Sequence, residues 1–168
     1  FKERQPTTEE ITRWFKDRND LVVALVCGDF IVVDADTPEA CIWAEENLPN
    51  TPCKVVTGKG MHYYYNNPEN YTTYVARRTE TSDPAKLIDI RGVGGLIIAP
   101  YNIHATGAIY EPKFINGWDW HDTSDLPNLT KEHWVMITGA EKLNGKAITS
   151  PFSMEGVVAG SRNDNAAR

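Results

Sequence analysis

Apolar and polar positions alternate along this chain in short runs whose period changes from helix to strand and back. Ile11, Trp14, Phe15 and Arg18 follow helical spacing behind Thr7 and Glu10, the two ends of a capping box. That pattern predicts a helix over about residues 8–20, with Ile11, Trp14 and Phe15 turned to the core. Two β-rich runs follow, residues 21–26 and 30–34, around Cys27-Gly28-Asp29, a turn composition that predicts a hairpin between them. Thr37 as a cap and Pro38 at the first helical position open a second helix, which runs to about Asn47 before Pro49, Asn50 and Pro52 end it. Strands are expected at 53–57 and 61–65 on either side of Gly58-Lys59-Gly60. Further strands are expected at 87–90 and 96–99 on either side of Arg91-Gly92-Val93-Gly94-Gly95, with a short one at 108–111. Residues 131–138 suit either helix or strand, and the stretch from 77 to 86 reads as loop. The sum predicts an α/β domain of the α+β type, with a mainly antiparallel sheet and helices packed on it.

Composition narrows the classes. A chain of 168 residues with 41% hydrophobic and 24% charged residues is long enough for one domain with a real core, so global disorder is a poor reading. The formal net charge of −6 argues against a passive, high-affinity DNA coat, yet leaves room for a local basic groove on an acidic body. The cysteines, Cys27, Cys41 and Cys53, are odd in number and form no C-x-x-C pair. This disfavours a disulfide framework and a zinc site and suits free thiols in a reducing cytoplasm. The longest apolar run is far too short for a membrane span. A chain that opens on Phe1 and closes on Arg168 reads as a piece of a longer protein, with residues 1–150 as the folded domain and the small, polar 151–168 as a linker.

Candidate chemistry lies first in carboxylates. Asp34-Ala35-Asp36 closes an apolar run, and residues i and i+2 of a strand share a face. Two like charges there call for a cation, and oxygen ligands suit Mg²⁺ or Mn²⁺. Asp89 interrupts a second apolar run, where a lone buried acid is costly unless paired or metal-bound. The competing reading is plain: strand-end polarity plus a helix cap for the first pair, and a structural ion pair with Arg91 for Asp89. From spacing alone these outweigh the metal. Thr57-Gly58-Lys59-Gly60-Met61-His62 joins two strands and lacks P-loop spacing; its glycines permit close backbone approach to a ligand, Lys59 offers charge and His62 a donor for phosphate. A plain hairpin with a structural His explains it at least as well. Tyr63, Tyr64 and Tyr65 suit packing more than base stacking, and His104 sits in a loop.

Taken together these residues resemble the archaeo-eukaryotic primase superfamily, in its phage- and plasmid-type primase-polymerase form. Asp34-Ala35-Asp36 matches the family's first motif, and Gly60-Met61-His62 entering a strand matches its second. Ile88-Asp89-Ile90-Arg91-Gly92-Val93-Gly94-Gly95-Leu96-Ile97-Ile98-Ala99-Pro100, followed by His104, Gly107 and Tyr110, matches its third and most specific motif. Gly160-Ser161-Arg162-Asn163 resembles the stretch that leads into a downstream helical segment. Lys59 departs from the family pattern by standing where a glycine is common.

The resemblance implies an RRM-like sheet joined to a second small α/β unit, with the active site in the cleft between them. It implies a nucleotidyltransferase, a DNA primase and polymerase working from nucleoside triphosphates on a single-stranded DNA template and primer. Two divalent ions, Mg²⁺ or Mn²⁺, would be held by Asp34, Asp36 and Asp89. His62 would contact the incoming nucleotide's phosphates, with Lys59, Gly60, Arg91 and His104 as further nucleotide contacts. A helicase region on the same full-length chain and a location in the host cell's cytoplasm, without a membrane partner, follow by the same analogy. The alternatives are a non-catalytic RRM-like single-strand-binding module, reading bases with Tyr63 and Tyr65, and a metal-dependent nuclease using the same acids.

Overall fold

A computed structural model describes residues 4, 6–18, 20–76, 82–115, 117 and 123–139. Two units divide the chain, one taking in Phe1–Val22 and the other Val23–Ala147. The first contributes helix α1 (Thr8–Phe15), which opens on the expected capping box: Thr7 Oγ1 accepts from Glu10 N–H and the Glu10 carboxylate accepts from Thr7 N–H. The helix stops at Phe15, short of the expected Asp20, because the chain turns through Asp17 in the left-handed region (φ 60°). Ile11, Trp14 and Phe15 do not face a core; all three are exposed.

The second unit is built on a five-stranded antiparallel sheet. Its strands are β2 (Phe30–Ala35), β3 (Cys53–Val56), β4 (Met61–Asn66), β5 (Ile88–Arg91) and β7 (Glu111–Phe114), in the order β5-β2-β4-β3-β7. Strands β1 (Ala24–Val26) and β6 (Leu96–Ile98) make a separate antiparallel pair. The expected hairpin between the first two runs is therefore absent. Both edges of β2 are taken, by β4 and β5, so β1 has no place beside it. Cys27 and Gly28 carry the chain from one sheet to the other, with Cys27 N–H donating to Gly95 O and Gly94 N–H to Cys27 O.

Burial on both faces explains the apolar run Phe30–Val33 that opens β2. Ile31, Val33 and Ala35 pack with Tyr63, Tyr65, Ile88 and Ile90 beneath α2 (Pro38–Asn47) and α3 (Lys131–Thr138). Val32 faces the other way, with Cys53, Val55, Tyr64, Cys27, Ile97 and Tyr110. Each fully buried Val or Ile among them contributes about 1.5–3 kcal/mol relative to an exposed one. Thr37 caps α2 through Ala40 N–H with Pro38 in its first turn, as expected. Residues 131–138 are helix, ended by Gly139 at φ 69°, and Lys86 donates to the Met136 and Ile137 carbonyls at that end. The last strand comes later than expected, at Glu111–Phe114 rather than 108–111, because 101–110 folds into its own hairpin through the Ile103–Ile109 bridge. A short 3-10 helix (Pro84–Leu87) precedes β5. Trp118, Trp120, Arg77 and Arg78, and the expected 150/151 boundary with the tail beyond it, lie outside the described residues.

Candidate active site

Strand register assembles the polar row that local sequence only implied. Asp34 on β2 is directly paired with His62 on β4 and with Asp89 on β5. Directly opposed residues of an antiparallel pair project to the same face, so Asp89, Asp34 and His62 form one line across the sheet. Their neighbours Val33, Tyr63 and Ile90 point the other way, into the helix-covered core. The line is buried: Asp34 is 8% exposed, Asp89 4% and His62 4%.

Arg91, two residues beyond Asp89 and on the same face, supplies charge to the line. Its Nη2 donates to Asp89 Oδ2 at 3.0 Å and lies 3.6 Å from Asp34 Oδ2. Asp89 Oδ1 is engaged from the other side by the main chain, accepting from Ala76 N–H at 2.8 Å. The Ala76 contact was not legible in the sequence. It arises because Tyr74 pairs with Ile90 and so draws residues 71–76 along the edge of β5.

His62 Nε2 stands 3.4 Å from Asp34 Oδ1. Burial holds its imidazole down at a pKa of about 4, against the opposing pull of the Asp36 carboxylate, with the Arg91 charge lowering it further. The ring is therefore neutral near pH 7. Its Nδ1 is buried without a hydrogen-bond partner. Tyr110 packs 5.6 Å from His62 and 6.2 Å from His104, ring centre to ring centre, and joins the two histidines. From the sequence, Tyr110 is only the aromatic that follows His104 and Gly107. Burial raises its hydroxyl's pKa, and the Asp34 and Asp36 charges raise it further.

The glycine turn and the histidine hairpin lie side by side. A Cβ at position 58 would come within 2.9 Å of Ala108 Cβ. Thr57 holds the turn, its Oγ1 accepting from Lys59 and Gly60 N–H, and Lys59 is exposed at its tip. Gly60 permits a close approach within the protein: a Cβ there would overlap the Ala35 carbonyl and crowd Asp36. This explains how the turn is pressed against the Asp34–Asp36 strand end. Asp36, just past β2, is half-buried. His104 is exposed on its hairpin, its Nδ1 accepting from Thr106 N–H.

The tyrosines settle a competing reading. Tyr63, Tyr64 and Tyr65 are 2% exposed or less. Tyr63 Oη donates to Cys41 O and Tyr65 Oη to Pro49 O. They are core, so a base-stacking platform on Tyr63 and Tyr65 is ruled out. As the side chains stand, no three His, Cys, Asp or Glu groups among the described residues converge as a metal cluster. The reason is visible: Asp89 is held by Arg91 and Ala76, and Asp34 faces His62 and Arg91.

Comparison with known families adds what geometry leaves open. The family model for the N-terminal domain of bifunctional DNA primase/polymerase matches residues 1–128, about three quarters of the chain. This chain belongs to that family. Among curated proteins nothing matches it. The primase/polymerase match contains Asp34, Asp36, Lys59, Gly60, His62, Asp89, Arg91 and His104, and ends before α3. Membership ties the domain to DNA primase/polymerase chemistry, a nucleotidyl transfer with DNA and nucleotides as substrates. None of its described helices is long and apolar enough to cross a membrane.

Proposed function

We propose that this domain extends a primer on a single-stranded DNA template, transferring nucleotides from nucleoside triphosphates to a 3′-hydroxyl with two divalent cations, Mg²⁺ or Mn²⁺. The observation that carries the reading is the in-register line Asp89–Asp34–His62 with Arg91 beside it. Two carboxylates directly opposite each other repel, and a guanidinium already stands between them, where positive charge is needed. The donor set is all oxygen, as Mg²⁺ and Mn²⁺ prefer.

Asp34, Asp36 and Asp89 would hold the cations. Bound there, such ions activate the attacking hydroxyl and stabilise the leaving pyrophosphate. The protein's own groups do the rest. Ala76 N–H fixes one oxygen of Asp89 so that the other faces the site. His62, neutral and buried, packs beside Asp34 without adding a positive charge that would compete for its oxygen, and is assigned to the phosphates of the incoming nucleotide. Arg91, Lys59 and His104 are assigned to the same triphosphate, with Gly60 setting the approach of the Lys59 turn to Asp36.

The test is primer extension on a short single-stranded template with Mn²⁺ and either ribo- or deoxyribonucleoside triphosphates, comparing the native protein with Asp89→Ala. Extension by the native protein alone is expected. Equal extension by both would remove Asp89, and with it the three-acid site. Strand degradation without any need for nucleoside triphosphates would replace the polymerase by a nuclease.

A further inference from the structure

From the position of the Arg91 guanidinium we infer that it is a resident counter-cation for the acidic pair, which a divalent metal must displace and which is then handed to the triphosphate. This deepens the metal-site reading above and rests on it. Three observations carry it. Asp34 and Asp89 are opposed across adjacent strands, and their carboxylates are nearly removed from water. Arg91 Nη2 reaches both, at 3.6 and 3.0 Å. Arg91 itself is less buried than either acid, its side chain 29% exposed against 11% and 5%, so the guanidinium has solvent to move into while the carboxylates do not.

The physical argument is one of competition. A carboxylate oxygen that accepts from a guanidinium is poorly placed to ligate a metal, and a cation arriving beside a guanidinium is repelled by it. Metal entry therefore breaks the Arg91–Asp34 and Arg91–Asp89 contacts. Each contact is to one nitrogen rather than a two-pronged clamp, which makes the pairing easier to break than the bidentate pairs arginine forms at its strongest. The freed guanidinium cannot lose its charge and has to find another anion. A nucleoside triphosphate brought to the same acids through the metal is that anion. Arg91 thus links the two binding events: metal without nucleotide pays for an unpaired guanidinium, whereas metal with nucleotide does not. By linkage, each ligand strengthens the other by the same factor.

The experiment is Mn²⁺ binding to the protein without DNA, by calorimetry or by electron paramagnetic resonance of free Mn²⁺, in native protein, Arg91→Ala, Arg91→Gln and Asp89→Asn. Each is repeated with a non-hydrolysable deoxynucleoside triphosphate. Both Arg91 variants are expected to bind Mn²⁺ alone about tenfold more tightly than native protein, or more, and to lose part of the tightening that the triphosphate confers. Arg91→Gln keeps a donor for Asp89 should Arg91→Ala fold poorly, and circular dichroism reports folding for each. Equal or weaker Mn²⁺ binding by the folded Arg91 variants, with binding weakened in Asp89→Asn, overturns the counter-cation and leaves the metal site standing. Native-like Mn²⁺ binding by Asp89→Asn overturns the metal site and the inference together. Tighter Mn²⁺ binding with an unchanged effect of the triphosphate keeps the counter-cation and overturns the handover.

Discussion

Asp34 and Asp89 lie directly opposite each other on neighbouring antiparallel strands, two buried carboxylates on one face of the sheet. A stability-optimised sheet would avoid that arrangement, since like charges in this relation are destabilising. The Arg91 guanidinium, 3.6 Å from one carboxylate and 3.0 Å from the other, offsets that repulsion.

Asparagine and alanine at position 89 are expected to separate chemistry from architecture. Asp89→Asn keeps an oxygen for Ala76 N–H and is expected to fold normally while losing primer extension at least about a hundredfold, the scale of a removed transition-state charge stabiliser. Asp89→Ala leaves that buried N–H unpaired and is expected to cost about 1–3 kcal/mol of stability as well. Denaturant titration beside extension rates checks both. Equal stability of the two variants would remove the Ala76 contact from the account.

His62 sets a pH dependence. Its folded-state pKa is depressed to about 4 from 6.5, so the folded form prefers the neutral ring. The stability this represents is present in full above pH 6.5 and is lost as pH falls toward 4, by about 3 kcal/mol in all. Metal-free protein is expected to lose stability across that window, and His62→Gln is expected to flatten the profile. Parallel profiles for the two proteins would place the acid sensitivity elsewhere.

Gly60 is expected to tolerate no side chain. A methyl group there meets the backbone of Ala35 and Asp36, so Gly60→Ala forces the turn away from the strand end at a cost of about 1–3 kcal/mol. Gly28→Ala, where nothing lies within 4 Å of the added carbon, serves as the control. Thermal melting should fall for the first and stay near native for the second.

Tyr65 is expected to matter for stability alone. Tyr65→Phe removes the bond to the Pro49 carbonyl and should cost about 0.5–1.5 kcal/mol. Tyr65→Ala opens a cavity in the core and should cost about 3–5 kcal/mol. Binding of single-stranded DNA to the folded fraction is expected to be unchanged by Tyr65→Phe, measured by fluorescence anisotropy.

Local chemistry decided much of this protein. The capping box at Thr7, the Thr37-Pro38 helix start and the apolar runs of β2 to β6 follow from propensities and periods that span a few residues, and they are where the sequence places them. The two-residue period also puts Asp34 and Asp36, or Asp89 and Arg91, on a common face without knowledge of any partner strand. Motif order from Asp34 to Tyr110 carried the family. Pairing was different. That β1 joins β6 and not β2 depends on which edges β4 and β5 had already taken, a competition no local window contains. That His62 and Asp89 flank Asp34 is a matter of register between strands far apart in the chain. The helix of Ile11, Trp14 and Phe15 shows the same limit from the other side, for periodicity names an apolar face but not what covers it. The tyrosine strand, whose residues suit packing more than base stacking, is buried on both faces because cores lie above and below it. Asp89's hold by Ala76 N–H and Arg91's place between two acids exist only once the sheet has formed, because electrostatic contact depends on distance in space and the sequence records only distance along the chain.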